Sequence, residues 1–255
     1  MLKLFDTHAH YDDERFETDR DSLIASLPEN GVELVVNPSS NIESARKVLE
    51  IINRHAHVYG AVGTHPHDAE VMSEEDIAEY YKMAAENKKI KAIGEIGLDY
   101  YYDHSPREIQ KKRLIDQMAL AEELDLPVII HDRDAHEDTL NILRQFPRVR
   151  GVVHCYSGSL EMAEQLLKMG YNLSFTGVIT YKNAKKPLEI IANMPHDRIM
   201  IETDSPYLTP EPKRGSRNDS RNVVFVAEKI AQILKMDSCE VASLTMENGK
   251  RFFGI

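Results

Sequence analysis

The sequence has few cysteines, no long apolar run and no excess of positive charge. Its two cysteines, Cys155 and Cys239, are too few for a disulfide framework. No uninterrupted apolar stretch approaches the ~18 residues of a membrane-spanning helix. The opening MLKLFDTHAH becomes polar too early for a secretion signal. These absences favour a reducing compartment, so we expect a cytoplasmic protein with no membrane association.

Acidic residues outnumber basic ones, with 42 Asp and Glu against 31 Lys and Arg and a formal net charge of -11. A protein that coats duplex DNA usually carries a basic stripe, and this sequence has none. The acidity therefore argues against a module that reads DNA sequence. It leaves open an enzyme that binds one or two phosphates with the help of bound cations.

Short apolar segments rich in Val and Ile alternate with longer amphipathic segments along the chain. Nearly continuous apolar character is typical of strands that are buried on both faces of a parallel sheet. Eight strands are predicted, at residues 2–7, 33–37, 58–64, 90–97, 127–131, 151–155, 171–175 and 198–203. Helices are predicted at 42–55, from a capping box at Ser73 and Asp76 onward, and at 106–124, 135–145, 160–169, 186–193, 222–234 and 238–253.

Repeats of strand and helix without a break in composition predict an α/β fold, the (β/α)8 barrel of the TIM type. We expect one domain over residues 1–255, with residues 238–253 as an extra C-terminal helix. An open doubly wound sheet is the alternative, but no GxGxxG or P-loop sequence follows any predicted strand. The longest irregular stretch, 206–220, is rich in Pro, Gly, Arg and Ser, and loops of this length are usually functional or disordered.

Histidines and carboxylates stand at the carboxyl ends of the predicted strands, where barrel enzymes carry their catalytic residues. The group consists of His8, His10, Glu95, His131, His154 and Asp204. A lone histidine at a strand end is more often structural, but six such residues at one rim favour a joint metal site. Mixed imidazole and carboxylate ligands suit Zn, Mn, Fe, Co or Mg. Six ligands exceed the three of a mononuclear catalytic zinc, so we expect two divalent ions about 3.5–4 Å apart with one carboxylate between them.

Two further features near these strand ends have alternative interpretations. Cys155 is expected to be a small buried hydrophobic residue. The run Tyr100-Tyr101-Tyr102 fits packing around the barrel rim as well as it fits stacking against a substrate.

Six motifs follow one another in the chain, namely DTHAH, GTHPH, GEIGLDYYYD, IIHDRDA, VVHCYSG and ETDSPYL. Together they resemble the signature set of the TatD family of metal-dependent deoxyribonucleases, in the amidohydrolase superfamily. The resemblance covers essentially the whole chain. It implies a TIM-type barrel, one to three divalent ions and hydrolysis of DNA phosphodiesters.

The resemblance also implies a role for each metal ligand. One ion would be bound by His8, His10 and Asp204, the other by His131 and His154, and Glu95 would bind both. One departure from the family concerns the loop after strand 8. The family often has Arg-Asn-Glu-Pro there, whereas this chain has Arg-Asn-Asp-Ser at 217–220, and the ligand residues are unaffected.

The predicted catalytic residues are Asp204, His65 and Glu95. By the resemblance, His65 faces the substrate phosphate, and Arg133 and Arg217 are predicted as further phosphate contacts. We expect a metal-activated water to attack phosphorus while Asp204 takes its proton. His65 and Asp204 are both candidates for returning a proton to the leaving group.

We therefore expect a deoxyribonuclease that trims single-stranded or frayed DNA from the 3′ end and needs no obligate protein partner. Loop arginines Arg214, Arg217 and Arg221 are interpreted either as phosphate contacts or as parts of a solvated turn. One rival function uses the same site to cleave an ester, lactone or amide of a small molecule or an aminoacyl-tRNA. Another is a catalytically silent barrel that binds a partner, and the retention of all six ligand-type residues argues against it.

Overall fold

The computed structural model describes residues 2–255. Eight strands form one sheet in chain order, and every neighbouring pair is parallel. The strands are β1 Leu4–Asp6, β2 Val32–Pro38, β3 Val58–Val62, β4 Ile90–Asp99, β5 Val128–Arg133, β6 Gly151–Val153, β7 Asn172–Phe175 and β8 Ile199–Ile201. The predicted (β/α)8 barrel with an extra C-terminal helix is confirmed.

The sheet closes where the segment after β1 meets the segment after β8. The Asp204 N–H donates to the His8 carbonyl at 2.9 Å, and the His10 N–H donates to the Ser205 carbonyl at 2.7 Å. The seam of the barrel therefore runs through residues that were predicted to bind metal.

Nine α-helices occur within residues 2–255. They are α1 Arg20–Ser26, α2 Ile42–Arg54, α3 Glu74–Glu86, α4 Arg107–Leu124, α5 His136–Leu143, α6 Leu160–Lys168, α7 Lys185–Asn193, α8 Val223–Leu234 and α9 Ser238–Phe253. The capping box of α3 is present, since the Ser73 hydroxyl accepts from the Asp76 N–H and the Asp76 carboxylate accepts from the Ser73 N–H. No helix of residues 2–255 is long and apolar enough to cross a membrane.

Helix α1 was not predicted. It has seven residues, Asp19 makes no side-chain cap, and only Leu23 and Ile24 are buried. Two apolar positions are too few to establish a helical period, so the sequence pattern gave no signal.

The barrel interior is apolar below the rim. An inner cluster draws on seven strands and consists of Phe5, Val36, Ala61, Ala92, Ile129, Val152 and Met200, together with Met246, Phe252 and Phe253 of α9. Helix α9 lies at the amino-terminal end of the barrel, because Asn248 donates to the Ile199 carbonyl at the start of β8. One end of the barrel is thus covered, and the ligand-type residues occupy the other.

Candidate metal centre

The first group of ligand-type residues, which we call the first cluster, is His8, His10 and Asp204. Strand β1 continues into His8-Ala9-His10, and residues two apart in an extended segment face the same way. The two Nε2 atoms lie 3.0 Å apart. Asp204 Oδ1, from the end of β8, lies 3.7 Å from His8 Nε2 and 3.5 Å from His10 Nε2. Glu95 Oε2 lies 3.3 and 3.4 Å from the same two nitrogens.

The second cluster, His131 and His154, faces the other oxygen of Glu95. Oε1 lies 2.9 Å from His131 Nδ1 and 2.8 Å from His154 Nε2. These two nitrogens lie 3.2 Å from each other. Glu95 therefore stands between the two clusters and directs one carboxylate oxygen to each.

The donor atoms of both clusters fit divalent cations. Within each cluster, imidazole nitrogens face each other and the same carboxylate oxygen. Lone pairs of neutral imidazoles that converge in this way are satisfied together by a cation. Glu95 is only 3% exposed, and a buried carboxylate needs positive partners. The mixed imidazole and carboxylate donors suit Zn, Mn, Fe or Co.

Both carboxylates of the centre are anionic at neutral pH. Burial alone would raise the pKa of Glu95, but its interactions with His154, His65 and His8 hold the pKa well below its usual value. Burial would likewise raise the pKa of Asp204, but other interactions, above all the hydrogen bond from His10, outweigh burial and lower the pKa. The centre thus presents two negative charges to a cation.

His65, in the turn after β3, lies beside the second cluster with its Nε2 atom 3.4 Å from Glu95 Oε1. Its Nδ1 accepts a hydrogen bond from the His67 N–H at 3.2 Å, which places the ring proton on Nε2. Burial lowers the pKa of His65 to about 4. His65 is therefore a neutral N–H donor at the centre.

The sequence did not single out Asp99, which holds the second cluster from behind. The Asp99 side chain is fully buried at the end of β4. Its Oδ2 accepts from His131 Nε2 at 3.1 Å and from His67 Nε2 at 2.9 Å. A carboxylate behind a metal-binding histidine fixes the ring and its tautomer. The sequence contained one signal for Asp99, which is an acid at the end of an otherwise apolar strand. Charged residues are rarely buried unless they are paired, so an acid at such a position indicates a bound partner.

Glu202 is a second buried acid that sequence reasoning missed. It lies 3.4 Å from His154 Nδ1 and accepts the Cys155 N–H at 2.6 Å and the Ser174 hydroxyl at 2.5 Å. Cys155 itself is partly buried, and burial raises the pKa of its thiol. Glu202 thus fixes the backbone at the end of β6, beside the ring of His154.

Gly97 allows β4 and β5 to approach at His131. Its φ is +153°, and a Cβ there would lie 1.9 Å from the His131 carbonyl oxygen. Any other residue would force the two strands apart. The second glycine of the GEIGLD motif is therefore required by the position of a ligand.

The two predicted phosphate contacts differ in their surroundings. The Arg133 guanidinium lies over the rings of Tyr101 and Tyr102, at 4.0 and 4.7 Å from their centroids. It makes no ion pair with any carboxylate among residues 2–255. Arg217 instead donates to both oxygens of Asp19, at 2.8 and 2.6 Å.

The other loop arginines also have acidic partners. Arg221 pairs with Asp219 at 2.8 Å, and Arg214 lies 3.7 Å from Glu211. The charges of these arginines are therefore neutralised locally, which favours the interpretation of Arg214 and Arg221 as parts of a surface turn.

The departure from the family in this loop has a structural explanation. The Ser220 N–H donates to the Tyr11 hydroxyl oxygen at 3.1 Å, and the Tyr11 hydroxyl donates to Ser220 Oγ at 2.8 Å. A proline at position 220 has neither group. Asn218 is buried and donates to the Thr203 and Tyr207 carbonyls. The loop is thus tied to the segments that follow β1 and β8.

A (β/α)8 barrel with histidines and carboxylates converging at its carboxyl-terminal rim defines a metal-dependent hydrolase. The family model described as TatD related DNase matches residues 5–254. The chain belongs to the TatD family.

Proteins of similar sequence and structure are described as metal-dependent hydrolases or TatD homologues. An uncharacterized metal-dependent hydrolase of Bacillus subtilis, YabD, is 46% identical over 254 residues, which cover 99% of both chains. An uncharacterized metal-dependent hydrolase of Escherichia coli, YcfH, is 34% identical and covers 99% of this chain and 96% of its own. The crystal structure of YjjV, a TatD homologue from Escherichia coli, superposes with a TM-score of 0.91 at 31% identity, covering 99% of this chain and 98% of that one.

Proposed function

We propose that the protein is a deoxyribonuclease that hydrolyses DNA phosphodiesters with two divalent ions at the metal centre. The observation that carries the proposal is the position of Glu95, whose two oxygens face two separate clusters. Two cations about 3.5–4 Å apart can stabilise the attacking and the leaving oxygens of an in-line displacement. The description of the matching family, TatD related DNase, supports DNA as the substrate.

The proposed ligands divide as the clusters do. One ion would be held by His8, His10 and Asp204, the other by His131 and His154, and Glu95 would contribute to both. Bound divalent cations lower the pKa of water from 15.7 to about 7 and neutralise charge on the phosphoryl oxygens. The same arrangement is open to Mg, Mn, Zn, Fe or Co.

The chain itself moves the protons. Asp204 accepts a proton from the attacking water, because it is anionic and 15% exposed at the rim. His65 donates its Nε2–H to a non-bridging phosphate oxygen, and this contact strengthens as charge develops there. Because the neutral ring of His65 is a poor acid, Asp204 returns the proton to the leaving oxygen. Arg133 contacts the neighbouring phosphate.

The net negative charge and the paired loop arginines disfavour binding of a long DNA backbone. The net charge is -11, and Arg214, Arg217 and Arg221 have acidic partners. A substrate that offers few phosphates, such as a single-stranded or frayed end, suits this surface better than the middle of a duplex. We propose trimming from the 3′ end. The two free cysteines favour action in the reducing cytoplasm.

The test uses a labelled single-stranded oligonucleotide, a 3′-phosphorylated copy and a closed circle, each with Mg, Mn or Zn. A ladder of single-nucleotide steps from the free 3′ end is expected, and Glu95→Gln is the inactive control. Equally fast cutting of the circle would contradict action at ends. No degradation of DNA, together with cleavage of ester, lactone or aminoacyl-tRNA substrates, would contradict the deoxyribonuclease assignment.

A further inference from the structure

Three consecutive tyrosines follow β4, and they have different environments. The Tyr100 hydroxyl donates to Asp138 Oδ2 at 2.7 Å, and Arg107 covers its ring at 4.3 Å. Tyr101 and Tyr102 are 59% and 50% exposed. The first ring is therefore packed against the protein, whereas the next two are held at the surface.

Four tyrosines of residues 2–255 are exposed, namely Tyr81, Tyr101, Tyr102 and Tyr207. The last three follow strand ends at the rim, whereas Tyr81 lies on α3. The Tyr102 ring lies 5.4 Å from the ring of His67, and the Tyr207 ring lies 6.4 Å from that of His10. Tyr207 is engaged by Arg15 at 4.1 Å and by Asp13. Tyr101 and Tyr102 are the more exposed pair and lie beside the second cluster. Their rings are perpendicular, with centroids 5.0 Å apart, and the Tyr102 ring stacks on that of His104.

The position of this pair is fixed relative to the second cluster by one side chain. Asp99 Oδ1 accepts the backbone N–H groups of Tyr101 and Tyr102 at 3.0 and 2.9 Å. Its Oδ2 accepts from His131, a residue of the second cluster. A rigid connection of this kind keeps an aromatic surface at a constant distance from the reacting centre, which a packing role at the rim does not need.

Arg133 adds a positive charge to the same surface. Its backbone pairs with Asp99 across β4 and β5, and its guanidinium lies over both rings. Unlike Arg217, it has no carboxylate partner among the described residues. Aromatic rings beside an unmatched guanidinium complement a nucleotide, which joins a flat base to a phosphate.

We propose that Tyr101, Tyr102 and Arg133 form a stacking subsite, where a base of the single-stranded substrate next to the scissile bond stacks on one of the two perpendicular tyrosine rings and meets the edge of the other. Arg133 binds the adjoining phosphate. The subsite rests on the proposed deoxyribonuclease function and adds a specificity for base-bearing over base-free backbone. Since every base has a π-face, the subsite tolerates any sequence.

The test compares KM for an oligonucleotide with normal bases and for a copy with base-free tetrahydrofuran residues near the 3′ end. Base stacking of ~1–3 kcal/mol predicts that replacing both tyrosines by alanine raises KM for the normal oligonucleotide about 5- to 140-fold. The value of kcat stays unchanged, because stacking is the same before and during the reaction. KM for the base-free copy stays near that of the wild type.

Matched variants separate stacking from other effects. Replacing both residues by phenylalanine keeps the rings and restores the wild-type KM. Tyr81→Ala removes an exposed tyrosine of α3 and leaves KM and kcat unchanged. Circular dichroism of each variant reports on folding, independently of activity.

Distinct results overturn the two proposals. If the wild type degrades DNA and the double alanine variant keeps its KM, the stacking subsite is refuted and the deoxyribonuclease function stands. An equal rise in KM for the normal and the base-free oligonucleotides also refutes stacking. If the wild type degrades no DNA with any of the metals, the proposed function is refuted.

Discussion

Asp99→Asn tests how the second cluster is held. The carboxylate accepts four hydrogen bonds, two from the rings of His131 and His67 and two from the backbone of Tyr101 and Tyr102. An asparagine of the same shape has one acceptor oxygen, so one pair of donors must face an NH2 group. We expect the rings of His131 and His67 to lose their partner while the barrel stays folded, because these side chains can turn away from the NH2 group whereas the backbone N–H groups are fixed by the chain.

The size of the effect follows from this geometry. Loss of a partner behind a metal ligand typically weakens metal binding about 10- to 100-fold, or ~1.4–2.7 kcal/mol. Asp99 is fully buried, so water cannot replace it. We therefore expect the upper half of this range for the ion at the second cluster. The ion at His8 and His10 should keep its affinity, because Asp99 does not contact that cluster.

Titration calorimetry with Zn or Mn measures both affinities in one experiment. Asp103→Asn is the matched control, since this acid pairs with Arg107 at the surface and contacts neither cluster. The positioning role of Asp99 would be refuted if both ions lost affinity equally. It would also be refuted if the affinity for the ion at the second cluster changed less than about threefold.

Three further predictions concern other parts of the centre. Glu95→Gln should reduce DNA hydrolysis to below about a tenth of the wild-type rate and reduce bound metal, measured by atomic absorption, because the amide lacks the charge needed between two cations. A variant that keeps full metal content and activity would exclude the bridge. Gly97→Ala should lower the free energy of unfolding in urea by at least ~2 kcal/mol, because its Cβ meets the His131 carbonyl; Gly215→Ala, which has a positive φ and open space, should cost less. For binding of single-stranded DNA, log K against log salt should have a slope of roughly -1.5 to -3, and Arg133→Gln should reduce its magnitude by about 0.7. Arg217→Gln should leave that slope unchanged, and a reversed order would assign the phosphate contact to Arg217.

The sequence predicted the parts of the structure that depend on local pattern. Continuous apolar runs identified all eight strands, and the strand ends located the six ligand-type residues that the structure brings together. The ends of β4 and β5 were placed too early, because Leu98, Asp99 and Arg133 continue the ladder beyond the apolar run. The resemblance to a family supplied roles that residue spacing alone does not contain.

Contacts between distant residues were not predictable from local pattern. Arg217 and its partner Asp19 are 198 positions apart, so the sequence could not indicate that this charge is neutralised. The support of His131 by Asp99 was hidden for a similar reason, since the two side chains meet only after β4 and β5 pair. Burial of an acid is decided by the tertiary fold, and the strand pattern alone does not reveal it.

The seam of the barrel links the synthesis and folding of the protein to the assembly of its metal centre. His8 and His10 are translated long before Asp204 and the strand that precedes it. A nascent or prematurely terminated chain therefore has no complete metal centre. Once the seam has formed, cations that bind across it stabilise the folded state by mass action, so that metal supply governs the lifetime of the protein as well as its activity.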